Sequence, residues 1–440
     1  MVAHWHSNKK TIQLPLTGSD AFKVFLCFAI AYFISYSFRS INAVISPELI
    51  VDLQLNNNHL GLLSSAYLIG FGLAQIPVGI LLDRYGPRIT EVGLMSLAVL
   101  GTLLFYNADN LIILFIARML IGIGVSSCLM SALTGFRSWY SIVQQPQLAS
   151  AILIFGTSGA LLTSSPARMI LPYIGWRGLF LLLAIACTLS ILILYLYLPT
   201  KNSRGDPNTN VATPESQKLF SWANYRPILA NAFYWRLFPV GAISLGGFMA
   251  IQTLWLGPWL INVKGQSSDA ASQTVFWFNT VLLLTYAINT YFLPKLQKIG
   301  IHTVRYLIWM TGASLVAQGG AYFLHESATV FWWYLYAATS ASFVLAQSLI
   351  ITRFPKSHSG RASTTYNITI FIGAFLTQWG IGYGIDKGVS WGLTVAQAFD
   401  LSLGIYLLIQ ILGFSWLVFS LCISRILPAT EFTSFGINLK

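Results

Sequence analysis

Apolar runs of about 20 residues, the length a helix needs to cross a bilayer, recur along the whole chain between short polar links. The pattern predicts helices over 21–45, 60–82, 91–106, 111–136, 148–171 and 176–198. After a polar gap it predicts six more, over 235–261, 273–296, 304–323, 330–353, 362–385 and 398–423. None of these runs alternates polar and apolar residues as a barrel strand would. Backbone in hydrocarbon must satisfy its own hydrogen bonds, so the expected elements are helices. The gap, 199–234, reads as a linker: 201–210 is rich in turn and coil formers, and the aromatic stretch 220–234 is expected to lie along the membrane surface.

Composition supports lipid as the solvent. Of 440 residues 55% are hydrophobic and 9% charged, against about 25% charged in soluble domains. So few charges cannot cover a surface facing water. The expected class is an all-α, multi-pass membrane protein with twelve transmembrane helices in two six-helix bundles.

Basic residues set the orientation. With the N-terminus in the cytoplasm, nineteen Lys and Arg residues fall on the inside, among them Lys9, Lys10, Arg84, Arg88 and Arg137; the outside loops hold only Arg177, Lys264 and Lys387. This positive-inside bias places both termini in the cytoplasm. The expected division is a cytoplasmic tail (1–20), a first bundle (21–198), a cytoplasmic linker (199–234), a second bundle (235–425) and a cytoplasmic tail (426–440). The net charge of +12 then faces anionic lipid headgroups and requires no nucleic acid. Residues 1–20 lack the apolar run of a signal peptide. Cys27, Cys128, Cys187 and Cys422 fall inside predicted helices without metal-ligand spacing, as small packing residues. Neither metal nor cofactor is expected.

The link between the second and third runs is Gly79-Ile80-Leu81-Leu82-Asp83-Arg84-Tyr85-Gly86-Pro87-Arg88. It resembles the signature loop of major facilitator superfamily transporters, matching at Asp83, Arg84, Gly86 and Arg88. Arg118-Met119-Leu120-Ile121-Gly122-Ile123-Gly124 resembles the family's Arg-x-x-x-Gly-x-Gly, and Gly175-Trp176-Arg177 a third motif. In the second half the loop's counterpart, 293–300, has Gln297 in place of the acid. The resemblance implies two bundles rocking about a central cavity and a chain that carries a substrate rather than transforming it. No carboxylate pair, metal-ligand set or nucleophile–base constellation favours an enzyme. Gly79 and Gly86 are expected to let the loop pack closely on a neighbouring helix end. Gly79, Asp83, Arg84, Gly86, Arg88 and Arg118 are the expected conformational switch, with Asp83 pairing to an Arg in one conformer only. Efflux members carry a Gly- and Pro-rich stretch in helix five; 156–166 keeps Gly156 and Gly159 but displaces the proline to 166, which favours uptake over export.

Ionisable side chains at membrane depth are expensive, roughly 2.5–3.5 kcal/mol each on insertion scales. Arg39, Arg118 and Arg168 are such residues and no mid-membrane acid answers them; Glu48 and Asp52 fall at the outer end of the first span and Glu91 at the cytoplasmic start of the third. An excess of positive charge attracts an anion. Tyr32, Tyr36 and Arg39 share one helical face by their spacing, and Asn42 extends it. The segment 32–39 resembles helix one of the family's organophosphate antiporters, which implies Arg39 as an anion ligand. Against this stand pairing of Arg39 with Glu48 and snorkelling. The second half offers Gln252, Trp255, Asn279, Tyr286, Gln347, Asn367 and Gln378 as substrate contacts or interhelical partners, with Trp259 as an interface anchor. The leading expectation is a secondary or facilitative transporter for a small organic anion, a carboxylate or similar, working in the direction of uptake, as a monomer in a bacterial inner membrane. A coupling proton or counter-anion would drive it, with Glu48, Asp52 and Glu91 as the proton-carrying candidates. The alternative is a proton-driven exporter of amphiphilic compounds.

Overall fold

The computed structural model describes residues 18–141, 144–198, 225–324, 329–354 and 356–426. Secondary structure in them is helical throughout: α1 Gly18–Ser40, α2 Asn42–Leu53, α3 Asn57–Tyr106, α4 Leu111–Val125, α5 Cys128–Trp139, α6 Gln145–Leu162 and α7 Ser165–Tyr197. The second half holds α8 Arg226–Leu229, α9 Ala232–Pro239, α10 Gly246–Ala250, α11 Leu256–Asn262, α12 Ser268–Lys298, α13 Thr303–Phe323, α14 Thr329–Ser340, α15 Val344–Arg353, α16 Lys356–Ser390 and α17 Val395–Ile426. Two π-helical segments, Val240–Leu245 and Ile251–Trp255, join α9, α10 and α11 into one rod. The expected tails and most of the linker, 199–224, lie outside the described residues.

Ten helices among the described residues are long and apolar enough to cross a bilayer. α13 and the short apolar stretch Ala151–Leu162 fall outside that ten. The apolar side chains behave as lipid contacts: Leu182, Ile185, Leu189, Leu192 and Leu196 of α7, and Leu401, Ile405, Leu408 and Leu412 of α17, are all exposed. Exposed residues at helical spacing on this scale would be an aggregating patch in water. The chain is a multi-pass integral membrane protein.

Several helix boundaries differ from the sequence pattern, each for a local reason. The run 148–171 is not one helix. α6 stops at Leu162, and α7 begins with Pro166 in its first turn, where the missing N–H of proline costs nothing. Gly175, at φ 65°, then breaks α7 just before Trp176. Gly86, at φ 75° and ψ 174°, separates α3 into the membrane-length helices Asn57–Leu82 and Arg84–Tyr106; a side chain in that region of backbone space is strained. The first run breaks at Ile41 and continues to Leu53 as α2. Serines weaken the ladder there, because Ser37 and Ser40 donate to the carbonyls of Phe33 and Tyr36 at 3.0 and 2.9 Å.

Side chains pack into two large cores. One is built almost wholly from α1–α7, the other from α8–α17. They exchange residues along the α3–α16 seam, where Phe371 and Ala374 of α16 join the first core and Leu60 of α3 the second, and Ile50 of α2 and Met249 of α10 border both. Small residues let α3 and α16 approach there. A Cβ on Gly382 would lie 2.4 Å from the Asn57 carbonyl oxygen, one on Gly61 2.8 Å from that of Gln378, and one on Gly72 3.0 Å from Phe371. One turn pair further along α3 the seam has ended, since a Cβ on Gly79 would meet nothing within 4 Å. This corrects the expectation for Gly79, which packs against nothing. Gly86, at positive φ, serves the turn.

Candidate functional site

The break in helix one presents Arg39. Its guanidinium lies over the rings of Tyr36 at 4.8 Å and Phe71 at 5.0 Å, with Tyr67 at 6.0 Å. Tyr36 comes from the same helix, Tyr67 and Phe71 from α3, so the cage is fixed by the α1–α3 packing. The Tyr67 hydroxyl donates to the Ser35 carbonyl at 3.3 Å, and the Ser35 hydroxyl to the Val125 carbonyl at 3.3 Å. Arg39 forms no ion pair among the described residues, and its buried Nε has no hydrogen-bond partner. Across the seam Phe71 packs against Phe371 in a tilted pair, ring centres 4.7 Å apart, and Tyr286 of α12 is an electrostatic neighbour of both Tyr36 and Arg39. A cation held between aromatic faces keeps its charge while its edge stays able to bind, the geometry for an anionic ligand.

Glu48 does not pair with Arg39. It pairs with Arg168, whose Nε also donates to Asp269 at 3.1 Å. Arg118 is almost fully buried, donates to the Phe38 carbonyl at 3.0 Å and lies between the rings of Phe105 and Phe180, each 4.9 Å away. It thus ties α4 to the carbonyl preceding Arg39. Asn42 donates to the Ser64 hydroxyl at 2.7 Å.

The amides of the second half pair among themselves. Gln252 donates to Asn279 at 2.7 Å, Gln347 to Asn367 at 2.8 Å, and Gln378 to the Thr253 hydroxyl at 3.3 Å. Trp255 is fully buried and donates to the Gln378 carbonyl at 2.9 Å. Gln252 and Thr253 sit in a π-helical segment, a form of helix concentrated at functional sites. Trp259 is not at an interface: it is buried in the second core against Trp333, ring centres 5.2 Å apart.

In the signature loop Arg88 donates to the Tyr195 carbonyl and lies over that ring at 4.8 Å, and Arg84 lies over Tyr85 at 5.2 Å. The Asp83 side chain lies outside the described residues. The glycines of the other motifs have a packing cause. A Cβ on Gly122 would be 2.1 Å from the Tyr67 carbonyl oxygen, and one on Gly124 2.3 Å from the Ala98 nitrogen. Gly156 faces the Tyr32 ring and Gly159 the Phe33 carbonyl oxygen, at 2.4 and 2.2 Å by the same measure. Helix five therefore uses its glycines to admit helix one.

Asp386 escaped the sequence reading, and Glu91 was misplaced by it. Asp386 accepts hydrogen bonds from the main-chain nitrogens of Asn57 and Asn58 at 3.2 and 2.7 Å, and from the Asn57 side chain at 3.0 Å. Only its rarity in an acid-poor chain marks it. Glu91 is a correction: the helix extends back to Arg84, and Glu91 is fully buried rather than at a cytoplasmic start. The apolar run hid it, because a single carboxyl among apolar neighbours reads as a boundary.

Residues 28–378 match the Major Facilitator Superfamily as a sequence family. The chain belongs to that superfamily. It is similar to the probable sulfoacetate transporter SauU of Cupriavidus necator, 28% identical over 39% of this chain and 41% of that protein. A probable L-galactonate transporter of Escherichia coli is 23% identical over 62% of this chain and 61% of its own length. The chain thus spans about two fifths to three fifths of these relatives. Among solved structures, a bacterial homolog of the human lysosomal transporter Spinster, in an inward-facing and unoccupied conformation, superposes with a TM-score of 0.72. It is 16% identical, over 92% of this chain and 98% of that one. At that identity the likeness concerns the fold alone.

Proposed function

We propose that this protein is a secondary transporter that takes up a small organic anion, with Arg39 as the principal ligand of its acid group. The observation that carries the reading is the caged guanidinium of Arg39, which no acid among the described residues neutralises. Tyr36, Tyr67 and Phe71 orient it, and Tyr286 closes the site from the second half. The relatives' printed substrates, sulfoacetate and L-galactonate, are both organic anions and support the same class. The paired amides Gln252–Asn279 and Gln347–Asn367 position helices around the site.

The two halves act as rocking bundles with both termini in the cytoplasm, as the basic residues favour. In that orientation Arg168–Asp269, Asp386–Asn58 and the tight α3–α16 seam all lie on the outer side, and the seam opens toward Gly79 on the inner side. Closure on the outside with opening on the inside is what an inward-facing state requires. A bacterial inner membrane, a monomer and coupling to a proton or a counter-anion complete the proposal.

The test is uptake by reconstituted proteoliposomes of labelled carboxylates, sulfonates, organophosphates and amino acids. An organic anion should accumulate, and Arg39→Ala should abolish its uptake while the melting temperature of the purified protein stays within a few degrees. Passage of cations or neutral amphiphiles alone would overturn the anion reading, and normal uptake by Arg39→Ala would remove Arg39 from the site.

A further inference from the structure

Three acids can be asked to carry a coupling proton, and the structure engages two of them. Glu48 is paired with Arg168. Asp52 accepts a hydrogen bond from the indole nitrogen of Trp176 at 2.8 Å. Glu91 differs from both. It is fully buried inside the first core, forms no ion pair among the described residues, and neither carboxyl oxygen has a hydrogen-bond partner. A charged carboxylate so placed would bear a large desolvation cost with no cation to offset it. A carboxylic acid is tolerated there.

The surroundings are small and polar. Cys128 and Ser131 of α5 are weak donors beside the Glu91 carboxyl, Cys27 of α1 lies close by, and Cys187 of α7 stands beside Cys128. On its own helix Thr90 is buried, and Arg88, one turn earlier, is directed to the Tyr195 carbonyl. The hydroxyls of Thr90, Ser127 and Ser131 are themselves buried without partners. Unpaired polar atoms in such number mark a place where a proton or a water can be passed on.

This cluster connects to the anion site. Cys128 shares the first core with Tyr32 and Tyr67; Tyr67 lies 6.0 Å from the Arg39 guanidinium, and Tyr32 packs edge-on against Tyr36, which lies under that guanidinium at 4.8 Å. The break between α4 and α5 at Ser126 and Ser127 directly precedes Cys128.

Resting on the reading of the chain as an anion transporter, we infer that Glu91 is the group that carries the coupling proton. A proton from the aqueous phase forms the carboxyl O–H bond, neutralising Glu91 for the state in which it is enclosed. The same bond breaks when rocking of the bundles loosens the α4–α5 region and water reaches it. One proton and one anion thus cross together, with no redox change. Charge balance favours this pairing, since the anion meets Arg39 while the proton discharges the acid.

The experiment compares two fluxes in proteoliposomes. In Glu91→Gln, accumulation driven by an imposed pH gradient should fall at least tenfold, while exchange of labelled for unlabelled anion at equal pH stays within twofold of the wild type. Glu91→Asp, which keeps an ionisable group, should restore part of the driven uptake. Driven accumulation by Glu91→Gln, or no recovery in Glu91→Asp, overturns the inference. A wild type that exchanges the anion but ignores the pH gradient overturns it too, and leaves the transport reading standing. Infrared difference spectra of the purified protein without substrate give an independent reading. A protonated-carboxyl band that fades as pH is raised, and is missing from Glu91→Gln, is the expected result; identical spectra for the two proteins would sink the assignment even if no anion moved at all.

Discussion

Asp386, near the end of α16, accepts the main-chain N–H of Asn58 in the first turn of α3 at 2.7 Å. An acid from the second half therefore sits at the N-terminus of a helix in the first, where the unpaired amides and the helix dipole both favour negative charge. The contact joins the halves at the same end as Arg168–Asp269. Hydrogen bonds to charged groups contribute about 1.5–3 kcal/mol. Asp386→Asn should shift the balance between inward- and outward-facing forms toward the latter by roughly tenfold to a hundredfold. Spin-label distances between the outer ends of α3 and α16 would report this as a growing long-distance population; an unchanged distribution would mean the latch is not limiting.

The ion triad offers a graded prediction. Arg168 holds two acids, but the Asp269 side chain is 80% exposed and that of Glu48 30%. Solvent screens the outer pair, and exposed ion pairs contribute at most about 1 kcal/mol. A double-mutant cycle on thermal stability should therefore give a larger coupling for Arg168 with Glu48 than with Asp269. Equal couplings would show that exposure does not rank these contacts.

Arg39→Lys preserves charge at the site and removes the planar group that lies between Tyr36 and Phe71. Cation–π contacts contribute about 0.5–2 kcal/mol each depending on desolvation, and lysine cannot reproduce bidentate recognition of an acid group. The apparent affinity for the anion should fall by roughly tenfold or more while the protein still binds it, as measured by equilibrium dialysis or thermal shift. Wild-type affinity in the lysine variant would reduce the site to a point charge.

Gly122→Ala tests close packing. The added methyl would lie 2.1 Å from the Tyr67 carbonyl oxygen, and backbone cannot yield as a side-chain tip can. Overpacking of this kind costs about 1–3 kcal/mol. The melting temperature in detergent should drop, and because Tyr67 faces Arg39, anion affinity should drop with it. Gly79→Ala is the control, since that position meets open space; a comparable loss there would point to helix propensity or loop function instead of packing.

Much of this architecture is written in the period and length of the apolar runs. A helix in lipid needs nothing from the rest of the chain to satisfy its backbone, so composition alone fixes where helices form, and the loop around Asp83 and the Arg118 motif mark the superfamily. Arg39 was legible for a related reason: a guanidinium inside an apolar run has few cheap explanations. Breaks inside the runs were harder. Those at Ile41, Ser126 and Gly175 depend on competing serine hydroxyls and single backbone angles, which leave little trace in hydropathy.

Partnership was decided by tertiary structure. Pairing is a matter of distance between helices far apart in sequence, so the chain could not say that Glu48 belongs to Arg168, that Gln252 and Asn279 satisfy each other, or that Asp386 caps α3. Nor could it separate a carboxyl at a membrane surface from one enclosed in a core, as the burial of Glu91 required. Hydrophobic length is a local property, and the sequence carries it in full. The electrostatic fate of each scarce charge is set by what packs around it, and only the folded arrangement supplies that.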